Sequence, residues 1–263
     1  MAQHQRKHQR QEKRFRFGRL YGVICVLLVL LAVVGGSIVF FRVDAVVVEG
    51  NGRYTTQEIV AATGIEQGEN MFLLNKFQII DQLEEELTYL DQVVIRRSLP
   101  STIKITVTEC SVAASVWDEG TQEWWLVSAG GKLLERGADS GAGVTVTGLT
   151  FLSPSVGTDL AVGEEQRLHL AALKQLLTAL EGREMLAQAE KIDLTLSGTV
   201  TMAYAGRLEV KMKLSSDFDY QVRVLEKVME EYVLTKWEES DTGVLDMTQS
   251  DGKPHLIRDE AQN

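Results

Sequence analysis

Residues 20–41 read LYGVICVLLVLLAVVGGSIVFF, 22 positions without Asp, Glu, Lys, Arg or His. At about 1.5 Å per residue that is roughly 33 Å of helix, enough for a hydrocarbon core about 30 Å thick. Beyond it the apolar positions fall into shorter runs of two periods. Residues 43–49 form a β-branched strand closed by Gly50-Asn51-Gly52. Thr55-Thr56-Gln57-Glu58 has the form of a capping box, with Thr55 as N-cap, opening a helix that carries Ile59 and Val60 and stops at Gly64. After a connector, 65–74, Asn75 with Gln78 opens a second helix. Its Phe77, Ile80, Leu83, Leu87 and Leu90 recur at steps of three and four. Residues 93–97 and 102–109 are strands about a turn at Ser98-Leu99-Pro100-Ser101. The second alternates Ile103, Ile105 and Val107 against Lys104, Thr106 and Thr108.

From Cys110 onward the pattern is richer in strands. Residues 124–127 and 132–135 flank Ser128-Ala129-Gly130-Gly131 as a hairpin, with the Trp124 and Trp125 rings on opposite faces, and 144–149 is a further strand. Residues 163–181 read as a helix, acidic at its start, with Leu168, Ala172, Leu176 and Leu180 on a broad stripe beside Leu173 and Leu177. Three β segments follow, 191–196, 199–204 and 208–214. Asp217 or Asp219 then caps a helix on which Phe218, Val222, Leu225, Met229, Tyr232 and Val233 repeat. Strands at 244–247 and 255–257 about an Asp251-Gly252 turn close the unit, and 258–263 is a polar tail.

Charge orients these pieces. Seven bases (Arg6, Lys7, Arg10, Lys13, Arg14, Arg16, Arg19) precede the apolar run against one acid, Glu12; after it come Arg42, Asp44 and Glu49. Positive charge stays inside, so 1–19 is expected to be a cytoplasmic tail, 20–41 a transmembrane helix and 42–263 extracytoplasmic. A cleaved secretory signal is the rival; the run exceeds the usual 7–15 apolar residues, and its small-residue exit, Gly35-Gly36-Ser37, leads into more apolar positions. The whole chain carries −10. Taking the tail's seven bases and one acid from the 27 and 37 leaves 20 bases against 36 acids, a balance of −16 outside. That sign argues against nucleic acid and against docking of the outer part on anionic lipid. Cys25 in the span and Cys110 outside it have no means of pairing within one chain, so no disulfide framework is expected.

No catalyst is expected. His4, His8, His169 and His255 form no ligand-spaced group, there is no Gly-x-Ser-x-Gly elbow, and Glu84-Glu85-Glu86 is read as a solvated helix face. Gly50-Asn51-Gly52 has Thr55 where a dinucleotide fingerprint needs its third glycine. No cofactor and no metal site is expected.

VDAVVVEGNGRYTTQEIVAATG, GENMFLLN and VVIRRSLPSTIKITVTE, set after a single anchor, resemble a POTRA domain of the FtsQ/DivIB cell division family. WWLVSAGGKLLE and GVLDMTQSDGKPHLI resemble the first hairpin and the end of that family's second domain. The fold class expected is therefore α+β: one N-terminal transmembrane helix, a POTRA domain (β-α-α-β-β) at 42–109, and a β-rich domain with two helices at 110–257. The resemblance implies a single-pass, non-enzymatic component of the bacterial septum. It would bind FtsL-type and FtsB/DivIC-type partners to scaffold and regulate septal peptidoglycan synthases. Carried over by position, the partner contact falls on Asp246, Met247, Thr248, Gln249, Gly252, His255, Leu256 and Ile257. Gln249 is polar where an aromatic anchor would be stronger, and Leu256-Ile257 replaces a closing aromatic. In the first domain, 43–49 and 102–109 are the candidate edge strands. Two other classes stay open, a POTRA-bearing transport or secretion component and an anchored wall enzyme.

Overall fold

A computed structural model describes residues 8–137, 141–238, 240–249 and 252–259; within the first helix the side chains described are those of 21–36 and 40. The elements are α1 (His8–Phe40), β1 (Ala45–Glu49), α2 (Thr56–Ala62), α3 (Lys76–Glu86), β2 (Leu90–Ser98) and β3 (Thr102–Glu109), then β4 (Ala114–Asp118), β5 (Glu123–Val127), β6 (Leu133–Arg136) and β7 (Val144–Leu149). After them come α4 (Arg167–Glu181), β8 (Ala189–Asp193), β9 (Thr199–Tyr204), β10 (Leu208–Lys213), α5 (Phe218–Val228), β11 (Gly243–Asp246) and β12 (His255–Arg258). The chain divides into two compact units, Met1–Leu83 with Gln92–Thr108, and Glu84–Asp91 with Glu109–Asn263.

The apolar run lies on α1, one continuous helix. Among the described residues no helix is long and apolar enough to cross a membrane. The side chains of 21–36 lie on α1. Most of them are exposed, Tyr21, Val29 and Val33 among them. The basic residues Arg6 and Lys7 lie outside the described residues, as do the side chains of the rest of the tail.

In the first unit Thr55 caps α2 as the sequence indicates. Its Oγ1 accepts from the Glu58 N–H at 3.2 Å, and the Thr55 N–H donates to Glu58 Oε2 at 2.7 Å. Asn75 opens α3 by accepting from the Phe77 N–H. The buried face of α3 is Ile79 and Leu83: Leu83 holds its place on the expected stripe, but Phe77 at its start is exposed and Ile79 is buried instead. Ile79 lies two residues on, about 200° around the helix, so the two side chains exclude each other from the core. The sheet runs β1-β3-β2, with β1 parallel to β3. This corrects the second edge expectation: 102–109 is the central strand, its Ile103, Ile105 and Val107 all buried, and the edges are β1 and β2.

The second unit is built on one nine-stranded sheet in the order β12-β11-β10-β9-β8-β7-β4-β5-β6. The β4 strand, ASVWD, is short and lacks a clear alternation, and the sequence pattern does not mark it. Three connections return parallel: β4 to β7, β7 to β8 across α4, and β10 to β11 across α5. Parallel neighbours need such crossovers. Alternate residues of β9 and β10 are buried, so one face of the sheet is covered, and the buried residues of α4 and α5 share its core. Arg183, just past α4, ties the two helices by ion pairs to Asp219 (3.0 Å) and Glu226 (3.2 Å). Asp217 caps α5, and the helix continues through a π-turn, Met229–Val233, that buries Met229 and Val233. Of the two tryptophans on β5, Trp125 is buried and Trp124 lies against Trp117 at 5.2 Å between ring centroids.

Candidate functional site

The residues carried over from sequence gather at one end of the nine-stranded sheet. β11 lies parallel to β10, and β12 lies antiparallel to β11 with Asp246 opposite His255, Leu245 opposite Leu256 and Val244 opposite Ile257. β12 is one of the sheet's two edge strands, β6 being the other, with no strand beyond it among the described residues. Alternation divides its side chains: Leu256 is half-buried against the core, whereas His255 and Ile257 are exposed. Met247 belongs to the core, so of the eight residues it is the least able to meet a partner.

Asp246 organises the turn that leads from β11. Its Oδ1 accepts from the Thr248 N–H (2.8 Å) and Oγ1 (2.6 Å), and its Oδ2 accepts from Gln249 Nε2. The Thr248 hydroxyl, then its backbone N–H and the Gln249 amide, hold the Asp246 carboxyl below its usual range. Thr248 and Gln249 therefore shape the turn. Gly252 takes a left-handed φ of +69° where the chain comes back, a conformation glycine adopts without steric cost; Asp251 lies outside the described residues. A pocket of about 180 Å³ opens beside this turn, lined in part by Tyr220, Val224, Met247 and Pro254.

Three residues not singled out from the sequence frame the edge. Arg207, at the start of β10, donates to the carbonyls of Val233 (3.3 Å), Glu238 and Asp241 (3.2 Å), gathering the chain between the π-turn and β11. Asp241 accepts from the Glu238 N–H at 2.7 Å and pairs with Arg258 on β12 at 2.5 Å. Gly243 carries no space for a side chain: a Cβ there would run into the Ile257 carbonyl and the Trp237 ring. None of the three has a local sequence signature, because each acts on backbone or side chains distant along the chain.

The Arg258 guanidinium, with help from the Glu238 N–H, lowers the Asp241 carboxyl below its ordinary 3.8. A carboxylate depressed in the folded state stabilises above its unfolded value, and that stabilisation is lost as pH falls through the folded one. The expected result is that β12 protection in hydrogen exchange, flat near neutrality, falls once pH drops below about 4. In D241N the decline in that window is shallower, and an unchanged slope refutes this assignment.

Among the described residues no group of three or more His, Cys, Asp or Glu is placed to hold a metal ion. Burial raises the thiol of Cys110, which is opposite to what an activated nucleophile requires. His169 and His255 are both in the second unit, on α4 and β12.

Residues 41–109 match the family described as "POTRA domain, FtsQ-type". Among similar proteins, the cell division protein DivIB of Clostridium acetobutylicum is 28% identical over 149 residues, 56% of this chain and 57% of that one. DivIB of Clostridium botulinum (strain Loch Maree) is 23% identical over 158 residues, 59% and 60% of the two chains. The cell division protein FtsQ of Corynebacterium glutamicum is 33% identical over 88 residues, 34% and 39%. The matches thus span less than two thirds of these relatives' lengths. The β-α-α-β-β order of the first unit agrees with these similarities: residues 41–109 match an FtsQ-type POTRA domain, and the chain is similar to cell division proteins named DivIB and FtsQ.

Proposed function

We propose that this protein is a non-catalytic, single-pass component of the bacterial division machinery that works by binding. Helix α1 anchors it through residues 20–41, with 1–19 in the cytoplasm, and the POTRA domain (42–109) and the β-rich domain (110–257) outside, at the septum. It joins FtsL-type and FtsB/DivIC-type partners and through them regulates septal peptidoglycan synthases. One observation carries the reading: β12, which bears His255, Leu256 and Ile257, is one of the two edge strands of the large sheet. An incoming extended segment adds a strand there through main-chain hydrogen bonds, with side-chain contacts supplying specificity. His255 and Ile257 are the exposed side chains beside such a segment, and Asp246, Thr248, Gln249 and Gly252 hold the turn that presents them.

The test removes 253–263 from the full chain and measures binding to its FtsB/DivIC-type partner. Loss of at least about tenfold in affinity, some 1.4 kcal/mol, is expected with the rest of the sheet intact by circular dichroism. Unchanged affinity in a folded truncation sinks the edge-strand reading. In cells, depletion is expected to give filaments without septa; normal length with altered wall chemistry would favour an anchored wall enzyme instead.

A further inference from the structure

The end of α1 is joined to a second apolar feature within the first unit. The chain 70–77, NMFLLNKF, lies directly against the exit of the helix. The Met71 N–H donates to the Phe41 carbonyl at 3.0 Å, and Arg42 and Asn70 form an antiparallel bridge. Phe41 meets Phe72 edge-on at 5.1 Å between centroids, and Phe40 meets Phe41 at 5.2 Å. Met71 is fully buried and pins this loop to the domain. Its neighbours turn outward: Phe72, Leu73 and Phe77 are 52%, 79% and 66% exposed.

The outward turn is built in. Asn70 accepts from the Phe72 N–H at 2.9 Å, and its carbonyl accepts from the Leu73 N–H at 3.0 Å. Arg97 donates to the carbonyls of Met71 (2.6 Å) and Leu74 (3.0 Å), fixing the loop from below. Its guanidinium carbon lies 5.7 Å from the Phe72 ring centre, and the Lys76 ammonium lies 4.9 Å from that of Phe77. The acids of the connector, Glu66 and Glu69, come before Met71, so the chain changes from acidic to basic as it reaches the exposed rings.

Exposed aromatics flanked by cations suit the boundary between acyl chains and headgroups, where rings settle at the interface and long basic side chains reach outward. Fixed to the end of the apolar run, the loop meets whatever medium surrounds Phe40 and Phe41. We propose that Phe72, Leu73 and Phe77, with Lys76 and Arg97 beside them, form a second membrane contact that seats the POTRA domain on anionic phospholipid at the exit of α1. This contact rests on the reading of 20–41 as a transmembrane anchor. The −16 balance of the outer chain opposes broad docking on such lipid, and the contact is confined to this basic and aromatic patch.

The experiment uses the full chain with Cys25 and Cys110 replaced by alanine, reconstituted in phosphatidylcholine–phosphatidylglycerol vesicles. A nitroxide is attached in turn at L73C, F77C and V29C, and collision with oxygen is compared with collision with a water-soluble nickel chelate. Expected are lipid-type ratios at all three positions, with those at 73 and 77 moving toward water when phosphatidylglycerol is omitted. Water-type ratios at 73 and 77 beside a lipid-type ratio at 29 overturn the second contact and leave the anchor standing. A water-type ratio at 29 overturns the anchor, and the contact with it. Low collision with both reagents at 73 and 77 would mean cover by protein, including a second copy of the chain, and overturns the lipid assignment.

Discussion

Leu176→Ala is expected to destabilise the second unit by about 2–5 kcal/mol, the range for removing a fully buried leucine from a packed core. Leu176 is 0% exposed on α4, among Ala172, Leu173, Leu177 and Leu180, in the same cluster as the inward residues of β8, β9 and β10. Its neighbours are held by a nine-stranded sheet and have little freedom to close over the space left behind, which favours the upper part of that range. Urea unfolding followed by far-ultraviolet circular dichroism should show a lower midpoint at unchanged slope. The paired control is Leu168→Ala, two turns earlier on the same helical stripe but 66% exposed. Its effect is expected within about 0.5 kcal/mol. Equal losses for the two variants would remove the packing account.

Gly243→Val is expected to separate the edge from the rest of the sheet. A Cβ at 243 meets the backbone of Ile257 and Arg258 as well as the Trp237 ring, so relief requires β12 to move rather than a side chain to rotate. Overpacking of this kind costs typically about 1–3 kcal/mol, here concentrated on the four residue pairs that join β11 to β12. Hydrogen exchange should show loss of protection in His255–Arg258 with β8, β9 and β10 unchanged, and affinity for an FtsB/DivIC-type partner should fall with it. Retained protection in β12 would contradict the close approach. Loss of protection with full affinity would leave the fold intact and place the partner elsewhere.

Much of the fold is legible in the sequence because local chemistry and periodicity decide it. The Thr55 and Asp217 caps, the strands 102–109, 144–149 and 199–204, and the inward residues of α5 follow from side-chain types a few positions apart. Periodicity misleads where it runs past the surface it covers. Leu168 continues the α4 stripe without meeting the core, and Phe77 loses the inward place on α3 to Ile79. Strand order is not written locally at all. That 102–109 is central in one sheet, and that all the later strands join into another, depends on pairings between distant segments. The candidate edge divides the same way. Its strands and turn were readable from alternation and glycine, whereas Arg207 and Gly243 matter through carbonyls 26 or more and 14 residues away.

The parallel pairing of β10 with β11 has a consequence for the order of assembly. It is made only after α5 has crossed the sheet, and β12 adds to β11 in turn. Non-local pairings of this kind form late, since the loop they close must be ordered before any contact repays it. During synthesis, where earlier segments emerge first, β12 follows β10 and β11 among the described strands. A segment that docks on β12 therefore has no template on a nascent or half-folded chain. Seated at the edge of the large sheet, β12 requires β10 and β11 already paired behind it.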